Sequence, residues 1–414
     1  MLVIQIICIL FLDYAEFNEG DVFVDLFEKC YSFTDAKEAI ASGLYPYFHA
    51  LATAQDTEVV MDGRRIIMIG SNNYMGLTSD PRTIEAAKEA LDKFGTGCSG
   101  SRFLNGTLVL HEQLEEELAE FFNKDAALTF STGFQTNLGA ITAVVGRHDY
   151  ILNDAENHAS IIDACRLSFA KKVLKYEHSD MASLEERLQR LPEDAGKLII
   201  TDGVFSMSGD LAKLPEIVAL AKKYNARILV DDAHGAGMIG DCGRGTANYF
   251  GLEKEVDIIM TTFSKSFASL GGCIAAEQDV IDYIKHRSRP FIFSASMPPA
   301  NAAAAREALH IMKSEPERQK ALIDISNYMR AKLKEAGIPI IEGETAIIPV
   351  FTYDMQRTFI ITKMLFEEGV YVNPVIPPAV KDGECMLRTS YAATHTQEQM
   401  DTAVEAFKRV FSKI

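Results

Sequence analysis

An apolar run, ARILV at residues 226–230, leads directly into two aspartates and a histidine in DDAHGAG at 231–237. The next apolar run, DIIM at 257–260, leads into TTFSKSFASLGG at 261–272, where Lys265 stands among hydroxyl groups and glycines. Short runs that are apolar throughout are typical of strands buried on both faces of a sheet. Polar side chains that follow two such strands predict a binding site at the edge where the strands end.

Short apolar runs alternate with helical patterns from about residue 126 to residue 275, which predicts βαβ units and a mostly parallel sheet with helices on both faces. The runs are AALTF, YILND, KVLKY, KLIIT, ARILV, DIIM and CIAA. Because the carboxyl ends of parallel strands share one edge, we expect Asp231, His234 and Lys265 to meet there. A smaller α+β lobe is predicted for the C-terminal part of the chain.

The chain has 414 residues, of which 48% are hydrophobic and 24% charged, so it is long enough for a large core and two domains. We predict an N-terminal arm at 1–60, a large domain at 61–299 and a smaller domain at 300–414. A net charge of −17 argues against a nucleic-acid surface, which requires clustered Lys and Arg. The seven cysteines form no CxxC pair, which predicts neither a disulfide framework nor a zinc site and favours a reducing cytoplasm.

The first twelve residues, MLVIQIICILFL, form an apolar run that is too short to span a bilayer. The run also lacks the basic start and the small-residue cleavage site of a signal peptide. Three interpretations remain open: an anchor at the membrane surface, a mis-assigned start codon, or a strand or helix that packs on a partner.

The residue types at the two strand ends are those that a pyridoxal phosphate enzyme requires. An amine such as that of Lys265 condenses with the cofactor's aldehyde, provided that burial lowers its pKa. A carboxylate such as Asp231 keeps the pyridine nitrogen protonated, so that the ring can accept electrons from a carbanion. His234 is placed to form a hydrogen bond with the phenolic oxygen of the ring.

The phosphate of such a cofactor would be held by hydroxyl groups and free backbone amides. Both are available in STGFQTN at 131–137, where a glycine opens a predicted helix, and at Thr262 and Ser264. Each element has a plainer explanation: a turn with a satisfied histidine, a surface lysine, or a turn followed by a helix cap. Their occurrence together, in this order and on adjacent strand ends, favours the cofactor.

Longer motifs make the chain resemble the α-oxoamine synthases, which are fold type I pyridoxal phosphate enzymes that condense an amino acid with an acyl-CoA and release carbon dioxide. The resemblance extends from about residue 42 to the end. It implies an aminotransferase-like α/β fold, with a large domain around a mostly parallel sheet and a smaller C-terminal α+β domain. The motifs are SNNYMGL (71–77), GTGCSGSRFLNGT (95–107), STGFQTN, NDAENHASIIDA (153–164), TDGVFSMSGD (201–210), VDDAHGAGMIG (230–240), TTFSKSFASLGG, RPFIFSASMPP (289–299) and MLRTSYAATHT (386–396).

The resemblance implies roles for the residues around the cofactor ring. Lys265 would bind the cofactor covalently and later remove the α-proton, Asp231 would pair with the pyridinium, and His234 would contact the ring oxygen. His158 would stack on the ring and contact the substrate carboxylate. Without the resemblance, His158 is better explained as a core histidine that caps the following helix.

The resemblance also implies which residues surround the phosphate and the substrate. Further cofactor contacts are expected from Gly133, Phe134, Ser206, Thr262 and Ser264, with Ser294 and Ala295 reaching in from the partner subunit of a homodimer. Asn72 and Tyr74 would border the amino-acid site across the dimer interface, and Arg388 would bind the substrate carboxylate. By itself, Arg388 would be explained as a solvent-facing charge.

Within the family, GSRFLNGT, YPYF and VNPVIPPAV are most similar to the bacterial branch that condenses L-serine with palmitoyl-CoA to 3-ketosphinganine, the first step of sphingolipid synthesis. This similarity implies a homodimer with shared active sites. The cysteines favour the cytoplasm, and peripheral contact with the inner face of the membrane follows if the apolar run at 1–12 is an anchor. The basic segment KHRSRP at 285–290 would meet the CoA phosphates or simply form a solvated helix end. Alternatives are the branches that use glycine with acetyl-CoA or that make 8-amino-7-oxononanoate, and a non-catalytic regulatory subunit of the same fold.

Overall fold

The computed structural model of the protein describes residues 25–377 and 379–414. The apolar run at 1–12, with its three open interpretations, lies outside the described residues. No helix within the described ranges is long and apolar enough to cross a membrane.

Helices and strands alternate along most of the described chain. The helices are α1 (Glu28–Tyr31), α2 (Asp35–Ala41), α3 (Pro81–Phe94), α4 (Val109–Phe121), α5 (Gly133–Val144), α6 (Ala159–Leu167), α7 (Met181–Gln189), α8 (Leu214–Tyr224), α9 (Thr246–Tyr249), α10 (Gln278–Arg287), α11 (Arg289–Ile292), α12 (Pro299–Ser314), α13 (Pro316–Glu335), α14 (Met355–Glu367) and α15 (Gln397–Phe411). The strands are β1 (Glu58–Met61), β2 (Arg64–Met68), β3 (Ala126–Phe130), β4 (Tyr150–Asp154), β5 (Lys172–Tyr176), β6 (Lys197–Asp202), β7 (Arg227–Asp231), β8 (Ile258–Thr262), β9 (Gly272–Ala276), β10 (Ile347–Tyr353), β11 (Val370–Tyr371), β12 (Asn373–Val375) and β13 (Cys385–Ser390).

The large sheet has seven strands in the order β3-β9-β8-β7-β6-β4-β5. Strands β5, β4, β6, β7 and β8 pair in parallel, whereas β9 runs antiparallel to both β8 and β3. Every apolar run that the sequence predicted as a strand is a strand of this sheet. The predicted α/β class with a mostly parallel sheet is therefore confirmed.

Burial explains why the inner strands of the sheet are mostly apolar. Strands β4, β6, β8 and β9 are buried at every residue, because helices cover both faces of the sheet. Successive side chains alternate between two hydrophobic clusters, as the pleat requires: Ile199 and Val230 belong to one cluster, and Ile200 and Leu229 to the other. The sheet thus separates two hydrophobic cores.

The C-terminal part carries a small antiparallel sheet in the order β10-β13-β12, which confirms the predicted α+β character of this part. A third sheet joins the N-terminal β1-β2 hairpin to the C-terminal part, because β11 pairs in parallel with β2. Strand β13 carries Arg388, and its register pairs this residue with Pro349 on one side and Asn373 on the other. The exact domain boundaries given above stay a prediction.

A buried ion pair fixes the GSRFLNGT segment. The guanidinium of Arg102 donates to both carboxylate oxygens of Glu115, at 2.7 and 2.9 Å, and to the hydroxyl of Thr129 at 2.9 Å. Both charged side chains are almost fully buried, where an unpaired charge would be costly and a bidentate pair is tolerated. The pair therefore ties this loop to helix α4 and strand β3.

Candidate active site

Lys265 lies in the turn between β8 and β9. The turn is closed by backbone hydrogen bonds from Phe263 to Gly271, from Ser269 to Phe263 and from Ala268 to Lys265. The amine of Lys265 lies 2.7 Å from Nε2 of His234, a residue that follows β7. The carboxyl ends of two neighbouring strands thus bring the predicted lysine and histidine into contact.

A hydrogen-bonded chain continues from His234 to three further predicted residues. Nδ1 of His234 lies 2.7 Å from the hydroxyl of Tyr74, which donates to Oδ1 of Asn72 at 3.2 Å and accepts from Nη2 of Arg388 at 3.1 Å. The network is satisfied when His234 is neutral, with its proton on Nδ1 and with Nε2 accepting from the amine of Lys265. Residues from four separate segments therefore converge on one largely buried cluster. Tyr74 is fully buried and contacts His234 and Arg388 of its own chain, so the expectation that it borders the site across a dimer interface is wrong.

Arg388 is 4% exposed, and no described carboxylate lies within ion-pair distance of it. Its Nε donates to the backbone carbonyl of Ser206 at 2.5 Å, and its Nη1 donates to the hydroxyl of Ser390 at 3.3 Å. A buried guanidinium without an acidic partner is costly unless an anion joins it. The structure excludes the interpretation of Arg388 as a solvent-facing charge and favours an anionic ligand in front of it.

Asp231 ends β7 and is held by two donors. Its Oδ1 accepts from the amide of Ala233 at 3.0 Å, and its Oδ2 accepts from the side-chain amide of Asn137 at 2.6 Å. The same amide of Asn137 donates to the hydroxyl of Ser160 at 2.9 Å, which in turn lies 2.8 Å from Nδ1 of His158. Asp231 and His158 are therefore connected through two intervening side chains.

His158 caps helix α6, because its Nδ1 accepts from the amide of Ser160 at 3.2 Å. The helix-cap explanation from the sequence is correct for this nitrogen. The side chain is nevertheless exposed to solvent, so His158 is not a core histidine. One edge of the ring caps the helix, and the rest remains free for a ligand.

The start of helix α5 forms a cradle with the end of β8. A Cβ on Gly133 would lie 2.6 Å from the hydroxyl oxygen of Thr262, so only glycine lets the two elements approach this closely. The hydroxyls of Thr262 and Ser264 lie 2.9 Å apart. Within the described residues the amides of Gly133 and Phe134 make no hydrogen bond, as expected of the first turn of a helix. Free amides beside two hydroxyls are suited to a phosphate.

The comparisons with known proteins agree with this geometry. Residues 64–407 match the family model described as aminotransferase class I and II. The serine palmitoyltransferase of Sphingobacterium spiritivorum is 53% identical over 388 residues, which cover 94% of this chain and 97% of that protein. The 8-amino-7-oxononanoate synthase of Thermosipho melanesiensis is 45% identical over 372 residues, which cover 90% and 95%. The chain belongs to the α-oxoamine synthase family.

Solved structures of other members of the α-oxoamine synthase family share the fold. The serine palmitoyltransferase of Sphingomonas wittichii superimposes with a TM-score of 0.91 at 38% identity, covering 94% of this chain and 98% of that one. A structure of SPT with the PLP internal aldimine also gives a TM-score of 0.91, at 36% identity and with 94% and 99% coverage.

The residues of this α-oxoamine synthase fit pyridoxal phosphate. A lysine amine, a buried carboxylate and an anion cradle lie at one edge of the sheet, as the aldehyde, the pyridinium and the phosphate of that cofactor require. The Oδ1 atom of Asn137 is buried and makes no hydrogen bond within the described residues, so the site also retains an unused acceptor beside Asp231.

Sequence reasoning missed three buried polar residues of the site. Asn137 is the last residue of STGFQTN, and Ser160 lies in NDAENHASIIDA, so the quoted motifs contained both. Asp202 ends β6 and pairs in register with Asp231 on β7. Burial, together with the charge of Asp231, raises the pKa of Asp202 above its ordinary value. The signal that identified Asp231, a carboxylate at a strand end, also applied to Asp202.

Other predicted residues lie at the rim of the site. Ser206 contacts Arg388 through its carbonyl, and the side chain of Phe134 is exposed. Ala295, next to Ser294, accepts through its carbonyl from the hydroxyl of Ser131 at 2.6 Å within the same chain. Their contacts with a cofactor stay a prediction.

The basic residues of KHRSRP lie exposed around the end of helix α10, where cations offset the helix dipole. The solvated helix end therefore explains them without a ligand, and their contact with CoA phosphates stays a prediction.

Burial lowers the pKa of Lys265 to about 8, and the charge of Arg388 acts in the same direction, whereas Asp231 and Asp202 oppose the shift. Burial also lowers the pKa of His234 well below its ordinary value, and the nearby Lys265 and Arg388 add to this effect. His234 is therefore neutral, in agreement with the hydrogen-bond network. Lys265 has a substantial neutral, nucleophilic fraction near neutral pH.

The lowered pKa predicts how cofactor-free protein captures pyridoxal phosphate. Only the neutral amine attacks an aldehyde, so the rate of capture should rise with pH through a midpoint of about 8 and level off above it. The measurement is borohydride trapping at a series of pH values, followed by mass spectrometry of the peptide that contains Lys265. A midpoint at the ordinary lysine value of about 10.4 would show that the site leaves the amine unperturbed.

Proposed function

We propose that the protein is a serine palmitoyltransferase, which joins L-serine and palmitoyl-CoA and releases CoA, carbon dioxide and 3-ketosphinganine. The observation that carries this proposal is the buried Arg388, which has no carboxylate partner among the described residues and is joined to Lys265 through Tyr74 and His234. This arrangement places a carboxylate-binding group and an amine at one site, as an α-amino acid substrate requires. The choice of serine and palmitoyl-CoA is supported by the relatives at 53% identity, which are named serine palmitoyltransferase.

Pyridoxal phosphate, when bound, supplies an electron sink for the pair of electrons left on Cα of the amino acid. We assign its covalent attachment to Lys265, its pyridine nitrogen to Asp231 and its phenolic oxygen to His234. Its phosphate is assigned to the cradle of helix α5 and strand β8. The donors there are the amides of Gly133 and Phe134 and the hydroxyls of Thr262 and Ser264.

The free N–H groups of Arg388 favour bidentate hydrogen bonding to the substrate carboxylate. Of its five N–H groups, one each on Nε, Nη1 and Nη2 is used by Ser206, Ser390 and Tyr74, respectively. One N–H therefore remains on each terminal nitrogen, which matches the two oxygens of a carboxylate. Because three protein contacts fix the guanidinium plane, the carboxylate bound to it takes a fixed orientation.

Orientation of the carboxylate decides which bond at Cα reacts. We assign removal of the α-proton to the Nζ of Lys265, whose pKa of about 8 suits a base that works near neutral pH. His158 lies open to the cleft on the Asp231 side and is assigned to cover the ring and contact the carboxylate. Arg388 holds the carboxylate until carbon dioxide leaves.

The inactive-subunit alternative requires a chain without the lysine that binds the cofactor. Lys265, Asp231 and His158 are all present here, and a satisfied hydrogen-bond network surrounds Lys265. The 8-amino-7-oxononanoate synthases, at 43–45% identity, and the branch that uses glycine with acetyl-CoA share the reaction type, so the amino acid and the acyl-CoA together distinguish the enzyme candidates.

We predict that L-serine with palmitoyl-CoA gives a kcat/KM at least about tenfold higher than glycine with acetyl-CoA or alanine with pimeloyl-CoA. A site that forms a hydrogen bond with a substrate hydroxyl discriminates strongly against analogues that lack it. A longer acyl chain adds about 0.8 kcal/mol for each methylene group that becomes buried. The measurement is the initial rate of CoA release for every pairing of amino acid and acyl-CoA, on one preparation.

Lys265→Ala provides the control, because it should retain the fold but lose turnover with every substrate pair. A preference for alanine with pimeloyl-CoA would identify an 8-amino-7-oxononanoate synthase. Turnover by the Lys265→Ala variant within about tenfold of the unchanged chain would contradict the whole catalytic assignment.

We further propose that the enzyme is a homodimer with shared active sites. Two adjoining loops and the start of helix α5, beside the site, carry exposed apolar side chains: Leu104 (78% exposed), Phe293 (75% exposed), Phe103 and Phe134. The loops adjoin because the amide of Ser296 donates to Gly100 and the hydroxyl of Ser131 donates to Ala295. Apolar groups gathered on one surface are typical of an interface. A second copy of the chain would cover them and bring its own loops to the site.

Sedimentation velocity should therefore show a dimer, and the double variant Leu104→Asp, Phe293→Asp should sediment as a monomer with strongly reduced turnover, because it places charges in the interface. Phe169→Asp is the matched control, because Phe169 is also exposed but precedes β5 at the opposite edge of the sheet. A fully active monomer, or dimer loss only in the Phe169 variant, would overturn the proposal.

We also infer that the enzyme works in the cytoplasm, with residues 1–12 touching the membrane surface. The six cysteines within the described residues are all free, which is consistent with a reducing compartment. An apolar run in the sequence of an enzyme that releases a lipid product supports contact with a lipid surface. The full chain should float with phospholipid vesicles in a density gradient, and a variant without residues 1–12 should not. Equal flotation of the two would contradict the membrane contact.

A further inference from the structure

Residues 203–212 form a hairpin (the 203–212 hairpin) that links the large sheet to the C-terminal sheet. Its ends are paired, because the amide of Ala212 donates to Gly203 at 2.9 Å and the amide of Phe205 donates to Asp210 at 3.0 Å. The tip carries Ser206, whose carbonyl accepts from Nε of Arg388 at 2.5 Å. The tip therefore supplies one of the three contacts that orient the guanidinium of Arg388.

His178, which lies just after β5, holds the hairpin from the side of the large sheet. Its Nε2 lies 3.1 Å from a carboxylate oxygen of Asp210 on the hairpin, and its Nδ1 lies 3.0 Å from Asp154 at the end of β4. The imidazole also packs edge-on against the ring of Phe205, with 4.4 Å between centroids. His178 thus connects one strand end of the large sheet to both arms of the hairpin.

The charge state of His178 suits this connection. Burial opposes a charge on the ring, but hydrogen bonds to Asp154 and Asp210 outweigh it and raise the pKa of His178 to about 10. Glu156 adds a third carboxylate at 3.7 Å from Nε2. A doubly protonated imidazole donates from both nitrogens, so it can bind two carboxylates at once.

The C-terminal sheet holds the other side of the hairpin. The hydroxyl of Thr345 donates to the carbonyl of Gly209 at 2.7 Å. Gly209 has φ +73°, and a Cβ there would lie 2.8 Å from the carbonyl oxygen of Ile347 at the start of β10. The glycine therefore permits both the left-handed turn and the close approach to β10.

We propose that His178 is a positioning residue for substrate binding, which holds the 203–212 hairpin so that the carbonyl of Ser206 orients Arg388 toward the substrate carboxylate. The inference rests on the proposed function, because it takes Arg388 as the group that binds the carboxylate. Without the His178 connection the hairpin tip moves, and Arg388 loses one of the three contacts that fix its plane. The loss affects ligands that carry a carboxylate and spares those that do not.

The test compares two ligands on enzyme loaded with pyridoxal phosphate. L-serine and ethanolamine share the amine and the hydroxymethyl group, and only L-serine has a carboxylate. Apparent affinities are measured from the change in cofactor absorbance during titration. In His178→Gln, L-serine should bind about tenfold more weakly, the effect of disturbing a hydrogen bond to a charged group, whereas ethanolamine should change by about twofold or less.

Asp210→Asn is the second variant, because it keeps the size of the side chain, removes the hairpin's charge and should give the same selective loss. If His178→Gln does not fold, the affinities of Asp210→Asn for the two ligands test the positioning role instead. His310→Gln is the matched control: His310 also lies between two carboxylates, at 2.8 Å from Glu117 and 3.5 Å from Glu307, but on helix α12. It should leave both affinities unchanged.

Two results would overturn the positioning role: equal weakening of L-serine and ethanolamine, which indicates a general structural defect, or unchanged L-serine affinity in both hairpin variants. Arg388→Lys separates this failure from failure of the proposed function. If Arg388→Lys weakens L-serine selectively and the hairpin variants do not, only the role of His178 is wrong. If Arg388→Lys also leaves L-serine unaffected, the assignment of Arg388 to the carboxylate is wrong, and the inference falls with it.

Discussion

Two cationic side chains, the half-buried Lys265 and the buried Arg388, belong to one hydrogen-bonded cluster, and their mutual repulsion governs the site. Burial of like charges together is unfavourable, and two features of the site reduce this electrostatic cost. The amine moves toward its neutral form, with a pKa of about 8, and the histidine between the two cations stays neutral. The guanidinium cannot lose its proton, so its charge remains available for an anionic substrate. The same constraint thus explains the lowered pKa of the amine and leaves a guanidinium suited to an anion.

The parallel sheet makes this arrangement possible. Strands β6, β7 and β8 end at the same edge, so Asp202, Asp231 and Lys265 lie close together although up to 63 residues separate them in sequence. The strand interiors are buried at nearly every position and provide a rigid support. Because the polar residues follow the strands, they reach the edge of the sheet without placing charges in either core. The chemistry of the site and the stability of the core are therefore carried by different residues of the same strands.

The second half of the site comes from elements outside the large sheet. Arg388 belongs to the C-terminal sheet, and Tyr74 belongs to the segment that follows β2. The 203–212 hairpin contacts both sheets and reaches the guanidinium with a backbone carbonyl rather than a side chain. The contacts by which this hairpin joins the C-terminal sheet to the large sheet therefore also hold Arg388 in place.

The sequence by itself determined the seven strands of the large sheet, because each is a short run rich in apolar residues; for the inner strands this pattern follows from burial on both faces, whereas the edge strand β5 is mostly exposed. It also predicted that Asp231, His234 and Lys265, which follow two of these runs, lie at one edge of the sheet. Only the tertiary structure decided that Arg388 is buried without an acid and that the ring of His158, apart from its capping nitrogen, stays open. It also decided that the amide of Asn137 joins Asp231 to Ser160. Burial and partner choice depend on contacts between residues far apart in the chain, and no local pattern encodes them. The same reason explains the 203–212 hairpin, whose contribution is a backbone carbonyl that every residue type possesses.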